Sequence, residues 1–190
     1  MRAFIAIELP QETKKALTRL QEQLKKNNAD VKWVTPENLH LTLKFLGDID
    51  DTQAEKITAV IENVANNHPS YLVKISSIGA FPKLSLLKVV WVGLGTGDEE
   101  TKGIFKDLEE KLEEFGIPKD ERPFSTHITL GRTRSPSNRK VLAKEIKIIT
   151  ENFKLDNAEF EVGKITLFKS TLLPNGPTYE VLKTASLKTN

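Results

Sequence analysis

The chain has 190 residues, 38% of them hydrophobic and 28% charged, with a net charge of +2 and no cysteine. This is enough apolar material for one domain, or for two small lobes sharing a core; the missing cysteines exclude disulfides, thiolate catalysis and cysteine-ligated zinc, which fits a reducing compartment. So small a charge excludes coating nucleic acid by bulk electrostatics, and any nucleic-acid contact is expected to be local.

Residues 3–8 alternate through Phe4, Ile5 and Ile7 and predict a first strand. That run is too short for a signal peptide, and no stretch approaches the roughly 18 apolar residues of a membrane span, so a cytoplasmic monomer without membrane contact is expected. Leu9-Pro10 stops the strand where a helix can begin, and Ala16, Leu17, Leu20 and Leu24 form its apolar stripe, with Lys14, Lys15, Arg19 and Lys25 outside it. A short strand over 31–34 leads through Thr35-Pro36 into His40-Leu41-Thr42-Leu43-Lys44-Phe45-Leu46, which alternates with period two until Gly47-Asp48. Thr52-Gln53-Ala54-Glu55 has capping-box spacing and opens a second helix with Ile57, Val60, Ile61 and Val64 inward. His68-Pro69 beyond it reads as a solvated turn.

Extended runs over 71–81 and 88–94, joined by Pro82-Lys83-Leu84-Ser85, suggest a hairpin or β-arch. Thr96-Gly97-Asp98 starts a third helix with Ile104, Leu108, Leu112 and Phe115 as its stripe, and Gly116 and Pro118 end it. Glu109-Glu110-Lys111 and Glu113-Glu114 fall off that stripe and read as a solvated face. Pro123-Phe124-Ser125-Thr126 leads into a second motif, His127-Ile128-Thr129-Leu130. Ser135-Pro136 then caps a fourth helix carrying Val141, Leu142, Ile146 and Ile149, and strands over about 160–169 and 179–187 flank the turn Leu173-Pro174-Asn175-Gly176-Pro177.

The two motif strands organise the rest. After the first, strands open at Tyr71 and Val89; after the second, at Phe160 and Tyr179, at closely similar offsets. The recurring order of helix, motif strand, helix, strand, strand predicts an α+β fold of two pseudo-twofold-related lobes. Each lobe is expected to be an antiparallel sheet with helices on its outer face, and the motifs to face a central cleft. Strands from the chain ends are free to cross between lobes, so residues 1–190 read as a single two-lobed domain.

Alternation sends Leu41, Leu43 and Phe45 to the core and His40, Thr42 and Lys44 to the cleft, with His127 and Thr129 facing them. One such motif alone reads as an ordinary amphipathic strand. Two of them across a cleft place two imidazoles that titrate near neutrality and two hydroxyl donors around one anion-sized space. Lys44 is expected at the cleft rim as a substrate-binding cation. Arg132 has the wrong parity for the His127 face unless Gly131 supplies a bulge that turns it back. Arg134, Arg139 and Lys140 fit a nucleic-acid backbone or plain solvation equally, and Trp33 and Trp91 read as core residues.

The chain resembles the two-histidine phosphoesterases, and within them the RNA 2′,3′-cyclic phosphodiesterases, also called 2′,5′-RNA ligases. The resemblance lies in Arg2-Ala3-Phe4-Ile5-Ala6-Ile7, Asn38-Leu39-His40-Leu41-Thr42-Leu43-Lys44-Phe45-Leu46-Gly47, Phe81-Pro82 with Val89-Val90-Trp91-Val92-Gly93, His127-Ile128-Thr129-Leu130-Gly131-Arg132, and Lys169-Ser170-Thr171-Leu172 with Tyr179. It spans nearly the whole chain. Where that family often has an Arg-Pro-Arg-like stretch this chain has Leu86-Leu87-Lys88, and Ser125-Thr126 stand in place of His-Pro.

The resemblance implies hydrolysis of RNA 2′,3′-cyclic phosphate ends to 2′-phosphates without metal or cofactor, with ligation as the same reversible step using a 5′-hydroxyl in place of water. One histidine would deprotonate the incoming water and the other protonate the leaving ribose oxygen; Thr42 and Thr129 would donate to the non-bridging oxygens and Arg132, by resemblance, would contact phosphate. By resemblance His127 is the base and His40 the acid. Rival readings are a non-catalytic module that captures RNA ends, and a phosphodiesterase for 2′,5′-linked oligonucleotides or an ADP-ribose cyclic phosphate.

Overall fold

The computed structural model describes residues 1–189. Among them the period-two runs become nine strands and the 3.6-period stripes four helices: β1 (Arg2–Glu8), α1 (Gln11–Lys25), β2 (Val31–Trp33), β3 (His40–Asp48), α2 (Asp51–Asn67), β4 (Tyr71–Phe81), β5 (Val89–Leu94), α3 (Asp98–Glu113), β6 (His127–Thr133), α4 (Arg139–Glu151), β7 (Glu159–Val162), β8 (Lys164–Leu173) and β9 (Gly176–Ser186). The expected stripes are buried, among them Leu17 and Leu24, Ile57 and Ile61, Ile104 and Leu108, and Leu142 and Ile146. The capping box of α2 lies two residues earlier than its sequence spacing suggests, between Asp50 and Gln53, each side chain bonding the other's backbone N–H.

The strands form a sheet in the order β7-β4-β5-β6-β3-β1-β8-β9, with β2 paired to β6. The order is symmetric about the β6–β3 boundary, giving one lobe of β3-β1-β8-β9 and another of β6-β5-β4-β7. Helix α2 packs on β8 and β9, and α4 on β4, so helices cover both lobes on the face that carries the core. The sheet curls until its far ends meet: Pro69 bridges Lys188, and the Leu187 N–H bonds the carbonyl of Gly163 at 2.9 Å. The two-lobed α+β architecture is as expected, with two differences in connectivity. The run over 160–169 breaks at Gly163, sending β7 to one lobe and β8 to the other. The strand that mirrors β5 beside its histidine strand is β1, while β9 lies at the outer edge.

Each histidine strand carries a bulge at the same place. Opposite β1, Leu43 is the extra residue, because Ala6 pairs Thr42 and Ile5 pairs Lys44; opposite β5, Leu130 is extra, because Trp91 pairs Thr129 and Val90 pairs Gly131. A bulge shifts parity by one, so the next residue joins the leucine on the core side and the one after it turns to the cleft. Lys44 and Gly131 are accordingly buried, whereas Phe45 and Arg132 are exposed. Phe45, expected in the core, is 63% exposed. Gly131 is required there: a Cβ on it would lie 2.6 Å from Val31 Cγ1 and 2.9 Å from Trp33 Cε3.

Two further expectations fail for reasons of packing. Glu109, at the edge of the α3 stripe, is buried against Lys44 rather than solvated. His68, at the end of α2, is no free turn residue, since its Nε2 lies 2.7 Å from Asp107 Oδ2 on α3.

Candidate active site

β3 and β6 meet through the single pair Leu41 and Ile128 among the described residues, both side chains entering the core. On the opposite face an antiparallel register sets Thr42 across from His127 and Thr129 across from His40. The imidazoles are then diagonal neighbours, a relation that places backbones about 7–8 Å apart.

Both rings are oriented by one device. His40 Nδ1 lies 2.6 Å from the carbonyl oxygen of Asn38, and His127 Nδ1 lies 2.8 Å from that of Ser125, two residues upstream in each case. A carbonyl oxygen only accepts, so each Nδ1 carries the proton and each neutral ring keeps its lone pair on Nε2. At His40 that nitrogen is 2.9 Å from Thr42 Oγ1, which donates to it. The Asn38 side chain donates to the carbonyl of Pro177 at 2.8 Å, tying this turn to the β8–β9 hairpin.

Burial holds both imidazoles below their ordinary value of 6.5. The carbonyl of Asn38 opposes this at His40, where the Lys14 ammonium adds to the lowering, as does His127 whenever it is protonated. At His127 the carbonyl of Ser125 opposes it and Arg132 adds to it. A ring with a lowered pKa is neutral and ready to accept a proton near pH 7. Arg132, exposed two residues beyond the bulged Leu130, also lowers the pKa of Tyr179 against the rise that burial causes.

Lys44 does not line the cleft. Its parity is reversed by the bulge at Leu43, its side chain is 2% exposed, and its ammonium is bound to Glu109, Asp120 and the carbonyl of Pro118. Thr129 stands beside Trp91 in register, on the His127 face.

Aromatic residues that the alternation pattern left without a role flank both histidines. Phe4 lies 4.9 Å and Tyr179 5.4 Å from the His40 ring, and Phe168 stacks on Phe4. Phe81 lies perpendicular to the His127 ring at 5.0 Å and stacks on Trp91, which is therefore a cleft residue rather than the expected core one. Trp91 lies flat because the strands beneath it have glycine: a Cβ at Gly79 would come within 2.5 Å of Trp91 Cζ2, and one at Gly93 within 3.0 Å of Cζ3. Glycine inside a strand marks close approach of another group, and this signal in the sequence could have revealed the platform.

Among the described residues no three His, Cys, Asp or Glu side chains are grouped to hold a metal, and no helix is long and apolar enough to cross a membrane.

The family model of the LigT-like phosphoesterases matches the chain twice, over residues 7–91 and 94–179, so its two copies divide the chain as the two motifs do. The RNA 2′,3′-cyclic phosphodiesterase of Methanocaldococcus jannaschii is 39% identical, the match covering 96% of this chain and 99% of that one. The protein of the same description from Methanothermobacter thermautotrophicus is 33% identical over 94% and 95%. In fold, the crystal structure of TT0787 of Thermus thermophilus superimposes with a TM-score of 0.82 at 28% identity, covering 98% of both chains. That of E. coli LigT complexed with 3′-AMP gives 0.78 at 23% identity over 98% and 97%.

Proposed function

The chain belongs to the LigT-like phosphoesterase family, and from that membership we propose that it hydrolyses 2′,3′-cyclic phosphate ends of RNA to 2′-phosphates by acid–base catalysis between His40 and His127. The observation that carries this reading is the matched pair of imidazoles on the same sheet face, each with Nδ1 on a backbone carbonyl and no backbone partner at Nε2. Relatives described as RNA 2′,3′-cyclic phosphodiesterases at 31–39% identity support the substrate class.

In the proposed reaction Nε2 of His127 takes a proton from water as its oxygen attacks phosphorus, the bond from phosphorus to O3′ breaks in line, and protonated His40 delivers its proton to O3′. The phosphate stays on O2′. Charge grows on the non-bridging oxygens in the five-coordinate transition state, where Thr42, Thr129 and Arg132 donate. Thr42 is bound to His40 Nε2 in the resting site, so protonation of His40 releases that hydroxyl toward the phosphate. The half-buried rings of Tyr179 on one side and of Phe81 and Trp91 on the other suit nucleosides flanking the phosphate. A 5′-hydroxyl in place of water would give 2′,5′ ligation by the same step, and neither reaction requires a metal.

The test is a cyclic-phosphate-ended oligonucleotide incubated with the protein in EDTA, with the product identified. A 2′-phosphate end supports the reading. Binding without turnover would make the protein a capture module, and activity restored only by a divalent ion would refute the metal-free mechanism.

A further inference from the structure

The proposed chemistry makes no use of Lys44, yet it is a fully buried cation directly below the motif strand. Its Nζ lies 2.5 Å from Glu109 Oε1, 3.2 Å from Asp120 Oδ1 and 2.9 Å from the carbonyl oxygen of Pro118. The carbonyl of Pro118 accepts a hydrogen bond from the ammonium, and the two carboxylate oxygens lie within ion-pair distance of it. Glu109 in turn accepts the backbone N–H of Asp120 on Oε2 at 2.7 Å. One side chain of β3 thus fastens the segment that leaves α3.

That segment runs without regular structure into β6 and brings with it Ser125, whose carbonyl orients His127. Its far end is fixed separately, by the hydroxyl of Thr126 donating to Asp98 at the start of α3. Strand pairing does not require the ion cluster: in the other lobe the place of Lys44 is taken by Gly131, packed under Val31 and Trp33. A buried ion pair is weak evidence for stability, because desolvation offsets its attraction, and its more specific effect is to select one arrangement of the groups it joins.

We propose that Lys44 is a positioning residue which, through Glu109, Pro118 and Asp120, holds the 114–126 segment so that Ser125 fixes the orientation and tautomer of His127. This rests on the reading of His127 as a catalytic group. It couples the strand that bears His40 to the segment that delivers the second histidine.

The experiment uses protein labelled with 15N at its three histidines, comparing wild type, Lys44→Met and Lys44→Met/Glu109→Met. The single variant strands a buried carboxylate and lowers the melting temperature; the double variant removes both charges and restores it. In both, the ring-nitrogen spectrum of His127 departs from a pure Nδ1–H tautomer while His68 is unchanged. Turnover of the cyclic-phosphate oligonucleotide falls in kcat by roughly 10²-fold, the effect of misplacing a reacting group by about 1 Å, with KM little altered. A double variant with restored melting, wild-type kcat and an unshifted His127 spectrum overturns the proposal. Should that variant not fold, Asp120→Ala cuts one exposed arm of the cluster and must move the His127 signals alone; their constancy is equally fatal. The spectra need no substrate, so a wild type inert toward the oligonucleotide would refute the proposed function and leave the positioning role to be decided by the ring signals.

Discussion

Phe45 and Arg132 hold equivalent places in the two lobes: each is the second residue after a bulged leucine, and each is turned from core parity to the cleft face. The fold thereby supplies a ring on the His40 side and a cation on the His127 side from one backbone device. Replacing Arg132 by Ala is expected to lower kcat/KM roughly 10- to 150-fold, corresponding to about 1.5–3 kcal/mol for hydrogen bonds to a charged group. Arg132→Lys should recover only part of this, since an ammonium lacks the planar fork. Steady-state kinetics on a cyclic-phosphate oligonucleotide decide it; an unaltered Arg132→Ala removes the guanidinium from the site.

His40→Ala and His127→Ala should each reduce hydrolysis by at least roughly 10²-fold, the lower range for loss of a general acid or base. Neither ring is a core residue and each Nδ1 bonds only a carbonyl two residues away, so unfolding should remain cooperative. Turnover at the wild-type rate in either variant would end the two-histidine mechanism. Loss of cooperative melting would assign the histidine a structural role.

Gly79 underlies the Trp91 platform. In Gly79→Ala the new methyl would sit 2.5 Å from the indole, which must lift. In a Trp33→Phe background, where Trp91 is the sole tryptophan, the emission maximum should shift and KM for the oligonucleotide rise several-fold. An unchanged spectrum would show that the indole does not lie against Gly79.

Much of this was legible because helix stripes and alternating strands are periodic, and the two histidine motifs announce a repeat. The errors share one physical origin. His40 to Leu46 alternates without interruption, and nothing in that pattern marks the extra residue at Leu43; the bulge is set by pairing with β1, a strand distant in sequence. Lys44 and Phe45 therefore exchanged faces, while Gly131 gave visible warning of the matching bulge because only glycine tolerates the close approach of Val31. Glu109 was misread because burial of a helix-edge carboxylate depends on a cation from another element. Gly163 separates β7 from β8 without any loop signal, since a strand can change lobes there only because the sheet curls back on itself.

Gln21 is a second buried polar group whose role the sequence did not suggest. Its Nε2 donates to the carbonyls of Val34 and Leu130, both at 2.9 Å, and Leu130 is the bulged residue of β6. Gln21→Leu leaves these carbonyls without that donor and should destabilise the protein by about 1–3 kcal/mol. It should also relax the bulge that turns Arg132, lowering kcat/KM beyond what thermal loss accounts for. Denaturant melts with kinetics at a temperature where both proteins are fully folded separate these effects. Stability lost with kcat/KM intact would confine Gln21 to packing.

The last prediction concerns pH. Burial, more than any neighbouring charge, lowers both imidazoles below 6.5, while the reaction needs one ring neutral and the other protonated. In the free enzyme that combination is most populated on the acidic side of neutrality, so kcat/KM should peak below pH 6.5 and decline as pH rises and the acid loses its proton. Binding a phosphodiester anion between the rings favours their protonated forms, so the kcat profile should lie at higher pH than the kcat/KM profile. Stability follows from the same shifts. Between the lowered native values and 6.5 the unfolded chain binds more protons than the native one, so the contribution is fully present above 6.5 and is lost as pH falls through the native values. Melting temperature should therefore fall on acidification from pH 6.5, and less steeply in His40→Ala, which removes the more deeply buried ring. Profiles of kcat/KM rising toward alkaline pH, or equal melting slopes for wild type and variant, would show that burial does not govern these two rings.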